Sequence, residues 1–332
     1  MQSDKKLRLA VGAGLLLCLT AVLLSLCLGS ITIPPADIVD ILAGGGEGIS
    51  AGILRFSRLP RTCACVLAGI GLSVSGAVLQ NVLSNKLASP SIIGVNAGAG
   101  LGVTLCCAAG ALSGWAVSAS AFAGSLMAIM VILMFTYRTG ASKTTVILVG
   151  VAMNSMLNAF SESVTVLFPD VAALNMEFRV GGFSGVSSSR LTPAAVLIGG
   201  SFILLLTMLN ELDIVTLGDE MAKSVGLSVK KYRVLFLVLA ALMAGAAVSF
   251  AGLLGFVGLI VPHLIRRVFG GESRYLVPLS ALFGASFVTL CDLAARLLFL
   301  PYELPVGIIM AVIGGPVFVM LLVRYKGGHR ND

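Results

Sequence analysis

Charge is what this 332-residue sequence has least of: 11% of residues are Asp, Glu, Lys or Arg, against 58% hydrophobic, with a mean hydropathy of +1.04. That scarcity excludes an ordinary water-soluble domain, where about a quarter of residues are charged. Histidine is nearly missing, with only His263 at a helix end and His329 in the polar tail. Two such isolated imidazoles form neither a metal triad nor a Ser-His-Asp constellation. The seven cysteines, Cys18, Cys27, Cys63, Cys65, Cys106, Cys107 and Cys291, include no C-x-x-C pair and have no nearby histidine cluster. They lie in apolar runs and are expected to be small buried hydrophobes. A phosphate loop is also lacking. In Thr139-Gly140-Ala141-Ser142-Lys143-Thr144, Tyr137 and Ser142 stand where both glycines are required, and no strand precedes. Catalysis by this chain is therefore not expected, no cofactor or metal is assigned to it, and any ATP hydrolysis belongs to another subunit.

What is abundant is long apolar runs separated by short charged stretches. A bilayer core of roughly 30 Å needs about 20 such residues in a helix. Strands of a barrel would show short alternation instead, and lipid demands that backbone groups pair within their own segment. The expectation is an all-α, polytopic integral membrane protein with about ten transmembrane helices, near 10–29, 61–82, 92–111, 115–135, 143–167, 191–210, 231–252, 255–269, 278–300 and 305–323. The first run follows Lys5, Lys6 and Arg8 like a signal peptide, but its length and the lack of an A-x-A-like site favour a retained helix. A single permease domain over 1–332 is the economical description.

Placing the amino terminus inside puts sixteen of the twenty-two basic residues on the cytoplasmic face: Lys5, Lys6, Arg8, Lys86, Arg138, Lys143, Lys223, Lys230, Lys231, Arg233, Arg266, Arg267, Arg274, Arg324, Lys326 and Arg330. The positive-inside rule then sets both termini in the cytoplasm. The six left outside, Arg55, Arg58, Arg61, Arg179, Arg190 and Arg296, are all arginine, which suits planar, bidentate recognition of carboxylates.

Three segments stand out. The external stretch 30–57 holds Pro34-Pro35-Ala36-Asp37-Ile38-Val39-Asp40-Ile41-Leu42, read as a short amphipathic helix begun at proline and followed by a glycine-rich turn. In the fifth apolar run Asn154, Asn158, Ser161, Glu162 and Thr165 recur at three- and four-residue spacing and stack along one face. Polar groups in lipid are costly, so this stripe either lines a pathway or holds helices together. The cytoplasmic stretch 211–232 has Asp219 and Glu220 after Gly218, a start signal, with Gly226 as its stop and Met221, Ala222 and Val225 on one face. Asp292 and Arg296 are one turn apart, so that either they pair or Arg296 is free at the outer rim, with Arg58 and Arg61, to meet a partner's acid.

Several blocks together resemble the FecCD family, the permeases of ABC importers for iron siderophores, haem and cobalamin. They are Arg58-Leu59-Pro60-Arg61, Ala68-Gly69, Leu72-Ser73-Val74-Ser75-Gly76-Ala77-Val78-Leu79-Gln80, Leu87-Ala88-Ser89-Pro90 and Ile93-Gly94-Val95-Asn96-Ala97-Gly98-Ala99. The carboxyl third adds Ser249-Phe250-Ala251-Gly252, Gly255-Phe256-Val257-Gly258-Leu259-Ile260-Val261-Pro262-His263, Asp292-Leu293-Ala294-Ala295-Arg296, Glu303-Leu304-Pro305-Val306-Gly307 and Gly314-Gly315-Pro316-Val317-Phe318. The likeness runs from about 55 to 323. It implies ten helices, a second permease subunit (a copy or a paralogue), two cytoplasmic ATP-binding subunits that use ATP and Mg, and an external substrate-binding protein, in a bacterial cytoplasmic (inner) membrane surrounded by lipid. No nucleic acid is implied. By the same resemblance Arg58, Arg61 and Arg296 dock acidic residues of the binding protein, each rim pair worth about 1 kcal/mol at most. Leu217, Gly218, Asp219, Glu220, Ala222, Gly226 and Leu227 match the segment that couples to the ATPase, whose closure would switch the path between outward and inward openings. The family's path-lining fifth helix is matched by the run with Asn154, Asn158 and Glu162. The sequence departs from the family at Asn85-Lys86, where Asn-Pro is usual, and at Phe178, where tryptophan is common.

The expected function is thus the permease of an ATP-driven importer of iron-siderophore complexes, with haem or cobalamin as alternatives. A competing class is a secondary transporter that uses Glu162 and Asp292 as proton carriers.

Overall fold

The computed structural model describes residues 2–45, 48–139 and 143–327, and every regular element in them is a helix. α1 (Gln2–Cys27) ends before α2 (Pro35–Leu42) and α3 (Ile49–Ile53); a π turn over Leu54–Arg58 then runs into α4 (Leu59–Val82). α5 (Val95–Ala108), α6 (Gly114–Thr139), α7 (Lys143–Leu167), α8 (Pro169–Val180) and α9 (Ser188–Leu206) follow. The remainder is α10 (Leu209–Thr216), α11 (Asp219–Ser224), α12 (Val229–Ala251), α13 (Val257–Phe269), α14 (Ser273–Leu297) and α15 (Val306–Gly327). All ten apolar runs are helical, and the protein is a multi-pass membrane protein. Among the described residues seven helices are long and apolar enough to cross a membrane, and Val95–Ala108 and Val306–Met320 are shorter apolar helices.

Of the three runs outside those seven, two are short for a local reason. α5 and α13 have 14 and 13 residues, roughly 21 and 20 Å of rise. Each is entered through a left-handed residue, Gly94 (φ 87°) and Phe256 (φ 65°), so the chain turns before the helix begins. A left-handed phenylalanine is strained. Its ring occupies the space that a Cβ on Gly314 of α15 would take, so the missing side chain there makes room for it.

α4 is the central post. It packs on α14, α12, α13 and α9, and most of its side chains are buried. Lipid tails give no hydrophobic force between helices, so close approach and hydrogen bonds must join them. Both are present. A Cβ on Gly76 would overlap the carbonyl of Gly258, and one on Gly69 the carbonyl of Gly284. Ser73 Oγ donates to Ser280 O (2.7 Å), Ser75 Oγ to Ala240 O (2.8 Å), Gln80 Nε2 to Gly258 O (3.1 Å) and Asn81 Nδ2 to Ser273 Oγ (3.0 Å).

The proline-led segment forms α2, which buries Ile38 and Ile41 against Leu26, Ile33, Ala51 and Leu54 in a small core of its own. Three expectations need correction. The stretch after α7, which falls between the apolar runs 143–167 and 191–210, holds α8. Its mixed composition hides the apolar rhythm, although Pro169 at the first turn is a start signal. Cys63 is exposed and Cys18, Cys27 and Cys106 are only partly buried, because an apolar helix in lipid turns part of its surface outward; Cys65, Cys107 and Cys291 are buried. Ala222 points inward and is fully buried, whereas Met221 and Val225 point out, so the three do not share a face. The departure at Asn85 is a tight turn in which its Oδ1 accepts from Leu87 N (2.8 Å). Phe178 is partly buried, and its carbonyl accepts from Leu253 N (2.9 Å). Residues 140–142 of the rejected phosphate-loop segment lie outside the described residues.

Candidate functional site

At one end of the bundle the last turn of α1, the first of α4, the last of α14 and the approach to α15 meet around Asp292. This carboxylate is fully buried between two guanidiniums. Arg61 donates from Nε to both oxygens at 3.1 Å and from Nη2 to Oδ1 at 3.0 Å. On the other side Arg296 Nε lies 3.1 Å from Oδ2, a charge contact without hydrogen-bond angles. The i, i+4 spacing in α14 is therefore an ion pair. Arg61 also donates from Nη1 to Glu303 Oε2 at 2.6 Å, and Glu303 is 43% exposed.

The remaining arginine donors go to backbone carbonyls and to one serine hydroxyl. Arg296 reaches Ser25 O, Leu28 O and Ser25 Oγ, the last at 2.8 Å, and Ser25 Oγ shares a 2.8 Å bond with Thr62. Arg58 donates to Leu26 O (2.7 Å), Cys27 O (2.9 Å) and Ile31 O. A helix leaves its last four carbonyls unpaired, and their partial negative charge favours a cation. Arg58 and Arg296 thus close the end of α1. They are 5% and 4% exposed. The structure brings the three sequence-selected arginines together and shows all three engaged within the chain. Sequence reading missed Glu303 as the fifth charge and Ser25 and Thr62 as the polar filler; nothing in local spacing links them.

The fifth-run stripe divides in α7. Asn154 Nδ2 donates to Ser91 O (2.6 Å) and Ile92 O (3.1 Å), and Thr165 Oγ1 bonds its own helix at Ser161 O. Ser161 is buried and shares a 2.8 Å bond with Thr104 Oγ1, to which Asn175 Nδ2 of α8 also donates at 3.0 Å. Those three hold α5, α7 and α8 together. Asn158 and Glu162 are exposed, on the helix with the least buried surface of the seven spans. The polar stripe is therefore half structural and half presented outward.

At the opposite end, marked by Asn81 meeting Ser273 and by Ser273 N donating to Asp213 Oδ1 (2.8 Å), the long polar stretch forms α10 and α11. Gly218 (φ 109°) separates them, and Gly226 (φ 81°) ends α11 in a left-handed turn. There Leu227 N bonds Ala222 O and Gly226 N bonds Lys223 O, the paired closure that suits glycine. Ala222 anchors α11 inward. Leu217, Met221 and Val225 stand out, at least 61% exposed, in an apolar ridge beside exposed Glu220; Leu227 is partly buried. The side chain of Asp219 lies outside the described residues. Among the described residues no group of three His, Cys, Asp or Glu is placed to hold a metal.

The chain as a whole is similar to known proteins. The uncharacterised ABC transporter permease protein YvrB of Bacillus subtilis is 35% identical, over 94% of this chain and 92% of its own length. The vitamin B12 import system permease protein BtuC of Salmonella paratyphi A is 37% identical over 93% of each chain. The Fe(3+)-citrate import system permease protein YfmE of Bacillus subtilis is 32% identical over 90% of each. Among solved structures, an inward-facing transporter assigned to the metal-chelate type of ABC transporter superposes with a TM-score of 0.84 at 27% identity, covering 95% of this chain and 98% of that one. The model of the FecCD transport family matches residues 16–324, and the chain belongs to that family.

Proposed function

We propose that this chain is the permease subunit of an ATP-driven importer that moves an iron-siderophore complex into the cytoplasm. What carries the reading is the near full-length likeness, in sequence and in fold, to importer permeases and to a metal-chelate type transporter. In this reading the protein sits in a bacterial inner membrane with both termini cytoplasmic, the end bearing α2 and α8 facing out and α10–α11 facing in. It works with a second permease subunit, two ATP-binding subunits and an external binding protein. Met221 of α11, with Leu217 before it and Val225 after it, is the apolar contact with the ATPase, and Asn158 and Glu162 of α7 face the substrate path. Acidic residues of the binding protein dock at the Arg58, Arg61 and Arg296 end. They enter through Arg61 and Glu303, the accessible edge of that network.

Asp292 is clamped by two arginines in the core, which disfavours its use as a mobile proton carrier. Uptake of radiolabelled ferric siderophores, haem and cobalamin into proteoliposomes holding the permease, its ATPase and its binding protein tests the proposal. The expected result is ATP-dependent accumulation of a ferric chelate. Uptake that persists without the ATPase and collapses with the proton gradient would falsify it, and ATP-dependent uptake of haem or cobalamin alone would reassign the cargo.

A further inference from the structure

A groove of about 800 Å³ opens between α1, α4 and α9. Its wall is apolar: Val22 from α1, Pro60, Val66 and Leu67 from α4, Leu191 and Val196 from α9. α4 and α9 both start at the α2–α3 end, and both line the groove over nine residues, Leu59 to Leu67 and Ser188 to Val196. From the first to the last of nine helical residues the rise is about 12 Å. The hydrocarbon of one leaflet is about 15 Å deep, half of a core of roughly 30 Å. The groove is thus as long as an acyl chain of one leaflet and too short for a crossing helix.

Its mouth favours an anion. Arg55 lines it and is exposed, held in place by Nη2 donating to Ile41 O (2.9 Å) and Gly45 O (3.3 Å). Opposite stands Ser188 at the amino end of α9, a helix of 19 residues whose unpaired N–H groups carry partial positive charge. Among the described residues no carboxylate lines the groove. Phe56, next to Arg55, is 84% exposed, an aromatic ring where a membrane interface would lie. α7, the least buried of the seven spans, packs chiefly on α5 and α8 rather than beside this groove.

We infer that the groove is a binding site for one anionic phospholipid of the leaflet at the α2–α3 end. The acyl chain lies along α4 and α9, and the headgroup phosphate meets Arg55 and the amino end of α9. The site is independent of what the protein transports. Cys63 is exposed and lines the groove, which makes it a reporter. The full-length chain in nanodiscs of dioleoylphosphatidylcholine, or of an equal mixture with dioleoylphosphatidylglycerol, is treated with N-ethylmaleimide, and Cys63 modification is read by peptide mass spectrometry. Cys63 is expected to react about fivefold more slowly in the mixture, the effect of one arginine on an anionic lipid. Arg55→Gln removes the difference and Arg55→Lys keeps most of it. Ala195→Phe, which fills the groove, lowers the phospholipid retained in native mass spectrometry. Equal Cys63 rates in the two wild-type bilayers, or a difference that survives Arg55→Gln, overturns the site. Equal protection by inorganic phosphate in phosphatidylcholine, which makes the mouth an ion site alone, overturns it too, as does cross-linking of Cys63 to another protein chain.

Discussion

Asp292 shows how much one buried charge can organise. Three arginines and two carboxylates share its neighbourhood, leaving one surplus positive charge (3 − 2 = +1), and every arginine also closes a helix end or bonds a neighbour. Removing the central anion is costly because a buried cation without its partner keeps the desolvation penalty. Asp292→Asn should therefore destabilise the protein by about 3 kcal/mol, read as a lower melting temperature in detergent; a change within the error of the wild type would show that the carboxylate is dispensable. Glu303 is different. It is half-exposed, so Glu303→Gln should shift stability by less than about 1 kcal/mol. By releasing Arg61 it should instead tighten binding-protein association by about two- to fivefold in a surface-plasmon assay. Weaker association would count against Arg61 as the docking edge. Of this cluster, sequence shows the Asp292–Arg296 step, since four residues is a helix turn, and groups Arg58, Arg61 and Arg296 on one face, but it does not show that Arg61 holds Asp292. Arg61 is 231 positions from Asp292, and only helix packing brings them together.

The helices themselves were largely legible. Ten apolar runs became ten helices because in lipid hydrophobicity and backbone pairing demand the same thing. What escaped was where polarity and packing compete. α8 has too few apolar residues to announce itself, and the division of the α7 stripe depends on α5 and α8 covering Asn154 and Ser161 but not Asn158 and Glu162. α11 was read correctly at both ends, through Gly218 and Gly226, yet its faces were not: Ala222 is inside because its small side chain fits against the bundle. That correction sharpens a prediction. Leu217→Asp with Met221→Asp changes only exposed positions, so folding and expression should hold. If the ridge meets the ATPase, transport per ATP hydrolysed should drop about tenfold, as when a central interface anchor is lost. Wild-type coupling in that double variant would remove α11 as the lever.

At the scale of the whole molecule, two ends with different chemistry face each other across α4. One carries the arginine–carboxylate network with α2 and α8; the other carries α10 and α11 beside Lys223, Lys230, Lys231, Arg266, Arg267 and Arg274. Cationic side chains near span ends are retained on the cytoplasmic side during insertion, so the second end should be inside. At the first end Arg58, Arg61 and Arg296 are neutralised or bonded to carbonyls within the fold, so these three do not act as free charges. This orientation is open to a direct measurement. Met176→Cys on α8 and Val225→Cys after α11 are both exposed positions, 64% and 65%. In intact cells a membrane-impermeant maleimide should modify Met176→Cys and leave Val225→Cys untouched, and permeabilisation should make both react, as followed by peptide mapping. Labelling of Val225→Cys in sealed cells would invert the protein, moving the apolar ridge outside, away from any ATPase, and with it the direction of transport proposed above.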